Sequence, residues 1–431
     1  MNTASLYTIF LNSKGVSTDS RTLEKKELFF ALSGPNFDGN LFTKQALDKG
    51  AIAVVIDNPK SNINDDRVIV VENSLSALQK LATHHREQLN TKLIALTGSN
   101  GKTTTKELIR EVLSAKYKVL ATEGNLNNHI GVPLTLLQLK EDHEIGIIEM
   151  GANHHGEIAA LAEITKPKWG YITNFGKAHL EGFGSLEGVV QAKSELYKYL
   201  IENDQQILIN GDDDKQLKQT QAAKVSCFGN TVKADFIWEA LDTVDGYVSI
   251  QFQDQLIESK LYGSYNASNL AAALSFGEIF SVPIVKSKIA LSNYNLNNNR
   301  SQLIKINKTE YVLDAYNANP TSMLAALKAF AKKPKGSKAV ILGEMKELGT
   351  TAIQEHEEIV AQCLNLNFEK TILIGEQFCS TLTEDKGILK FNDLNAFTNS
   401  FDQSNWNFND VLIKGSRALQ LERLVPFFKS L

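Results

Sequence analysis

Between Leu93 and Thr103 the chain passes from an apolar run, Leu93-Ile-Ala-Leu-Thr97, straight into Gly98-Ser-Asn-Gly-Lys-Thr103. A buried strand, a glycine turn and a helix start are what a phosphate cradle requires. Glycines let backbone N–H groups approach phosphate oxygens, a helix N-terminus favours negative charge, and a lysine reaches the β/γ oxygens. Gly98, Ser99, Asn100 and Gly101 are the candidate loop, Lys102 the phosphate cation, and Thr103 and Thr104 the hydroxyls of the helix start, with Thr103 on Mg²⁺. Glycines after a strand can also make a mere turn, but here they, the lysine and the threonines all stand in register. The loop is two residues shorter than G-x-x-x-x-G-K-[ST], which sets it apart from an ordinary GTPase or motor. One crossover later, Glu144-Ile-Gly-Ile-Ile-Glu149 reads as a strand ending in a carboxylate, suited to a magnesium ion beside such a loop.

The elements that must hold these residues read as α/β architecture, with short apolar runs alternating with helical patterns along the chain. At 431 residues the chain is too long for one ordinary core. We expect three domains, 1–88, 89–298 and 299–431. The first carries strands at Leu28–Leu32, Ala51–Ile56 and Val68–Val71; a helix over Ser76–Gln88 leads out of it. Strands Leu93–Thr97, Gly146–Met150, Gly170–Asn174 and Gln206–Asn210 follow, then a β-rich excursion across 232–262. The asparagine-rich stretch 293–299 reads as a linker before a further α/β unit with strands Tyr311–Ala315, Ala339–Gly343, Thr371–Gly375 and Val411–Lys414.

Lys plus Arg number 45 against 49 Asp plus Glu, a balance that argues against a nucleic-acid or anionic-membrane partner. The three cysteines are far apart and without CxxC spacing, which suits a reducing cytoplasm and gives no zinc site. Met1–Gly15 shows no basic leader, and no window nears eighteen apolar residues, so neither a signal peptide nor a spanning helix is expected.

Further motifs narrow the reading. Asn174-Phe-Gly-Lys-Ala-His179 is trailed by Glu181-Gly-Phe-Gly184, Gln191-Ala-Lys-Ser-Glu195 lies on a helix, and Tyr265-Asn-Ala-Ser-Asn269 opens an alanine-rich one. With the short phosphate loop and the Glu149 strand, these resemble the Mur ligases, which build the peptide stem of bacterial peptidoglycan. The resemblance covers nearly the whole chain. It implies a UDP-binding α/β N-terminal domain, a central P-loop-type parallel-sheet ATPase domain and a Rossmann-like α/β C-terminal domain.

Within the family, Thr18-Asp-Ser-Arg21, Leu28 to Gly39, Glu123-Gly-Asn-Leu-Asn-Asn128, Leu313 to Pro320, Leu342 to Gly349 and Lys414-Gly-Ser-Arg417 resemble the branch that adds D-alanyl-D-alanine to UDP-N-acetylmuramoyl-tripeptide. On that resemblance Ser20, Arg21, Ser33, Gly34, Phe37, Asp38 and Gly39 hold the UDP substrate. Asn127 and Asn128 belong to a substrate loop, and Tyr316, Asn317 and Asn319 to the third domain's substrate site. Asn266 and Asn269 would meet adenine, though asparagine there can equally cap a helix. Asp314 would accept ribose hydroxyls, and Arg300 would reach the γ-phosphate across the domain gap, where otherwise it is a linker charge. His179 and Lys193 would serve a second Mg²⁺, Lys193 as a carbamate formed with CO₂; singly, each could be an ordinary satisfied or solvated side chain. Tyr265 stands where the family usually has His, so it is left out of the site. His154 and His155, like His84, His85, His143 and Glu144, read as surface.

The implied reaction consumes ATP: the tripeptide carboxylate takes the γ-phosphoryl group, and the dipeptide amine attacks the resulting acyl phosphate. Lys102, His179, Lys193 and Arg300 are the expected catalytic residues. A monomer that closes its domains over small-molecule substrates is expected. Another Mur ligase or a folylpolyglutamate synthase-like ligase is the alternative, and a nucleotide-dependent switch without ligation the reading from another class.

Overall fold

The computed structural model describes residues 2–61, 63–221, 223–231, 233–241, 246–295, 299–334 and 336–430. Among the described residues three larger sheets carry the chain, beside a small two-stranded one. The first is a four-stranded parallel sheet in the order 16–17, 28–30, 53–56, 68–70. Leu28–Phe30 and Ala53–Ile56 are buried at every position, as strands covered on both faces must be.

The second sheet has nine strands among the described residues. Its centre is Lys92–Thr97, flanked in parallel by Trp169–Ile172 and Ile145–Glu149. The strands 236–241, 247–252 and 255–262 extend its far edge, the first parallel to Val225–Gly229 and the rest antiparallel. The β-rich excursion is therefore the outer part of this second sheet. The helix Lys102–Ser114 buries Leu108, Ile109, Val112 and Leu113, and the alanine-rich helix Ala267–Ile279 lies along it. Small residues make the approach close: a Cβ on Gly277 would stand 2.8 Å from Val112 Cγ1.

The third sheet runs 302–306, 309–314, 410–414, 338–343, 370–374, 388–391, parallel apart from its first pair. The expected strands match those observed to within a residue or two at their ends. Part of the expected linker, 296–298, lies outside the described residues; Asn293 itself closes the helix Ile284–Asn293.

One reading needs correction. His85 is not at the surface: it is 5% exposed, with Nε2 2.9 Å from the Leu139 carbonyl and Nδ1 3.3 Å from the Tyr7 hydroxyl. The reason is the docking of its helix, Ser74–Glu87, on the second domain. The next residue, Arg86, is buried too; its Nε donates to Thr165 O at 2.8 Å and its Nη2 to Lys166 O at 3.0 Å. The core containing Leu78, Leu81 and Ala82 also holds Leu136, Ile158 and Leu161 of the second domain. Arg86→Met removes two charge-assisted hydrogen bonds and leaves two carbonyls unmet. It should cost about 2 kcal/mol, read as a lower urea midpoint for the full chain.

Candidate active site

The carboxyl ends of the central strands, where loops face open space in α/β sheets, border a cavity of about 730 Å³. Thr97 ends its strand and Gly98 turns with φ +144°; a Cβ there would come 2.0 Å from Thr173 Oγ1. Gly101, at φ +79°, is the N-cap of the next helix, and no side chain caps it. The first-turn N–H groups of that helix are thereby left for an anion. Asn174 of the neighbouring strand end accepts from Asn100 N–H at 3.0 Å and fixes the loop. Lys102 folds back over it, Nζ donating to Gly98 O at 2.7 Å. Burial lowers the pKa of Lys102, offset in part by the charge of Glu149.

Glu149 ends its strand inside the cavity. Oε1 accepts from Asn127 Nδ2 at 2.8 Å, while Oε2 is buried without a protein partner. An unmet carboxylate oxygen beside a phosphate loop and the Thr103 hydroxyl fits an oxygen-coordinated Mg²⁺, which takes only one or two carboxylates from a protein. Among the described residues, no three His, Cys, Asp or Glu side chains cluster as a metal site.

Across the cavity, Arg300 lays its guanidinium 3.8 Å from the centre of the Tyr316 ring, with Nε buried and unpartnered. Asn319 caps the helix Pro320–Ala331 through Oδ1 and, with Nδ2, donates to Asn100 Oδ1 at 2.7 Å. The third domain thus touches the phosphate loop itself. Asp314 accepts from Lys414 Nζ at 2.6 Å. Asn266 donates to Tyr262 O and Asn269 to Asn266 Oδ1; at the N-cap position Asn266 makes no capping bond through its side chain.

Of the expected residues, the cavity brings together Ser99 to Thr104, Asn127, Asn128, Glu149, His179, Asn266, Asn269, Arg300, Asp314, Tyr316, Asn317 and Asn319. Ser20, Arg21, Ser33, Gly34, Phe37, Asp38 and Gly39 lie elsewhere on the first domain. There Ser33–Gly34 pairs with Phe37–Asp38, Ser33 Oγ donates to Asp38 at 2.8 Å, and an exposed Arg21 pairs with Asp19 at 2.7 Å. Lys193 stands behind the cavity wall, 1% exposed; Nζ donates to the carbonyl of Ala152, a wall residue, at 3.1 Å and sits 5.1 Å from the Phe183 ring centre. His179, at φ +53°, pairs through Nδ1 with Glu347 of the third domain and holds that carboxyl below its usual range.

Tyr265 was to be left out of the site, yet it lines the cavity, its hydroxyl 2.7 Å from Ser301 Oγ. Replacing His by Tyr kept an aromatic ring with a polar tip, which was the available signal. Asn125, Asn174 and Lys414 also line the cavity; each stands within a motif already quoted for the resemblance. His154 is solvent-facing, as read.

A phosphate loop at the end of a parallel sheet, a free carboxylate beside it and an arginine brought by a further domain define a phosphate-loop enzyme whose chemistry lies where domains meet. Family models agree along the chain: residues 12–86 match the Mur ligase family catalytic domain, 96–277 the Mur ligase middle domain and 299–396 the Mur ligase glutamate ligase domain. The chain belongs to the Mur ligase family. It is 35% identical to the UDP-N-acetylmuramoyl-tripeptide–D-alanyl-D-alanine ligase of Rickettsia prowazekii, over 97% of this chain and 96% of that one. Crystal structure I of MurF from Acinetobacter baumannii superposes with TM-score 0.90 at 28% identity, covering 100% of this chain and 99% of that chain. The Thermotoga maritima MurF ligase in complex with ADP gives 0.86 at 26% identity, covering 98% of each chain.

Burial, then the nearby Lys102 charge, lowers the pKa of Lys193 to about 7. In CO₂-free buffer the ¹³Cε signal of Lys193 should titrate near pH 7, far from the ordinary lysine value of about 10.4. The sign follows: between those values the unfolded chain holds a proton that the folded one lacks, so this group's contribution to stability rises with pH across that window.

Proposed function

We propose that this chain is an ATP-dependent ligase that joins D-alanyl-D-alanine to UDP-N-acetylmuramoyl-tripeptide, in peptidoglycan precursor synthesis in the cytoplasm. The observation that carries the reading is the convergence of the phosphate loop, Glu149 and Arg300 on one cavity, in a chain so similar in length and sequence to a relative named for that reaction. No helix among the described residues is long and apolar enough to cross a membrane.

Two anions must meet, a tripeptide carboxylate and a triphosphate, so the site has to suppress their repulsion. The carboxylate oxygen attacks the γ-phosphorus and ADP leaves; the dipeptide amine then attacks the acyl carbon, phosphate leaves and the amine loses a proton. Lys102 from the phosphate loop and Arg300 from the segment leading into the third domain would both face the phosphates. Gly98 to Thr104 cradle them, Asn266 and Asn269 face the adenine end, and Asp314 the ribose. Thr103 and Glu149 would hold one Mg²⁺ and His179 with a carbamylated Lys193 a second, and these ions would supply further positive charge against the phosphate oxygens. Lys193 suits carbamylation, because only a neutral amine adds CO₂, with release of a proton. His179, fixed by Glu347 at Nδ1, keeps Nε2 for a ligand.

The division of labour follows the domains 1–88, 89–298 and 299–431. The first holds UDP through Ser20, Arg21 and the Ser33–Gly39 hairpin. Asn127 and Asn128 then guide the tripeptide, and Tyr316, Asn317 and Asn319 receive the dipeptide. Contacts of Asn319 and Glu347 with the central domain would close the cavity and keep water from the acyl phosphate.

The decisive assay follows ADP release with both substrates and identifies the pentapeptide product by mass. ADP release indifferent to D-alanyl-D-alanine, without amide product, would leave a nucleotide switch instead. Lys102→Ala should lower kcat at least a hundredfold, on the order of 2.7 kcal/mol; near-normal turnover would remove the basis of the reading. Lys193→Arg should also lose about a hundredfold, since a guanidinium cannot shed its proton to take up CO₂. Full activity of that variant in carbonate-free buffer would make Lys193 a structural residue.

A further inference from the structure

We propose that Tyr265 is a positioning residue that acts through the Ser301 hydroxyl to fix the interdomain segment bearing Arg300, and so aims the guanidinium into the cavity. The proposal rests on the role given to Arg300 above. Nothing in the ligase reading itself uses the Tyr265 hydroxyl.

The geometry is specific. Tyr265 lies in the short turn Ser264–Asn266 ahead of the helix Ala267–Ile279. Its ring is held in a slot cut for it: a Cβ on Gly263 would stand 2.4 Å from a ring carbon. The hydroxyl shares a hydrogen bond of 2.7 Å with Ser301 Oγ. Burial, then the Asp314 charge, pushes the phenol pKa up, so it stays a neutral hydroxyl. Ser301 N–H donates to Asp314 Oδ1 at 3.3 Å, and Asp314 Oδ2 accepts from Lys414 Nζ at 2.6 Å. Ser301 is thus gripped from the central domain by one hydroxyl and from the third sheet by one carboxylate.

What is gripped needs gripping. Asn299 and Ser301 both have positive φ, +56° and +51°; asparagine takes this conformation readily, whereas serine keeps it where its surroundings hold it. Arg300 stands between the two, stacked on Tyr316 with its Nε unpartnered. Freeing Ser301 on one side would let the segment relax and the guanidinium wander. An aromatic ring that merely filled the cavity wall would not need its hydroxyl.

The test uses the full chain with Tyr265→Phe, Ser301→Ala, their double variant and Arg300→Ala. For each, kcat at saturating substrates, Kd for ADP and Tm are measured. Both single variants should lower kcat about three- to tenfold, the size of one lost hydrogen bond, with Kd for ADP and Tm unchanged. The double variant should be no slower than the slower single one, because both changes delete the same bond. Multiplicative losses in the double variant, an unchanged kcat in either single one, or a fall in kcat matched by weaker ADP binding and a lower Tm would each overturn the proposal. Arg300→Ala separates the two levels. Should it turn over normally, the role of Arg300 fails and the positioning with it; should it be slow while Tyr265→Phe is normal, Arg300 stands and only the positioning fails.

Discussion

The contact between Gly98 and Thr173 governs the rest of the structure. A strand must turn into a helix within a few residues, and the turn passes so close to the next strand that a methyl group would stand 2.0 Å from a hydroxyl oxygen. Only hydrogen fits, and only glycine takes that φ without strain. Once the turn is made, the helix Lys102–Ser114 starts with its N–H groups toward the cavity, and its apolar face selects the alanine-rich helix as neighbour. That helix in turn begins at Asn266 and Asn269, and Asn269 accepts from Thr105 Oγ1 at 3.0 Å. This end of the cavity is therefore assembled outward from one steric condition.

The cavity wall mixes charges of both signs: Lys102, Arg300 and Lys414 stand in it with Glu149, Glu157 and Asp314. Burial lowers the pKa of Lys102, and the Arg300 Nε and one Glu149 oxygen are buried there without a protein partner. Buried polar groups left unmet cost stability in the empty protein. A ligand that meets them repairs that cost, which ties the integrity of this region to its occupancy.

What the sequence made legible was local or linear. The phosphate loop spans six residues, and its chemistry depends on their order alone. Glu149 was legible because an apolar strand ending in an acid keeps that acid at the sheet's edge. The burial of His85 and Arg86 was not, since it arises from a helix of one domain settling on another, and polar residues in a helical pattern look alike whether they face water or a foreign carbonyl. Tyr265 and Ser301 lie 36 positions apart and meet only after two domains are placed. The pairing of His179 with Glu347 has the same origin. Ser33–Gly34 and Phe37–Asp38 pair as a hairpin, and nothing in the order of residues told how far from the phosphate loop it would stand.

The helix Ser74–Glu87 has a consequence for the chain's modularity. By connectivity it belongs to the first domain, yet Leu78, Leu81 and Ala82 complete a core shared with the second, and Arg86 is bound by carbonyls there. The same core holds Leu6, Phe10, Leu28 and Val55 of the first unit, so the helix is a wall common to both. A graft that exchanged first domains between relatives at the end of the helix would import a foreign surface into the host's interior. Recombination just before Ser74 would instead part the helix from Tyr7, Phe10 and the first sheet, so neither cut leaves both interiors whole.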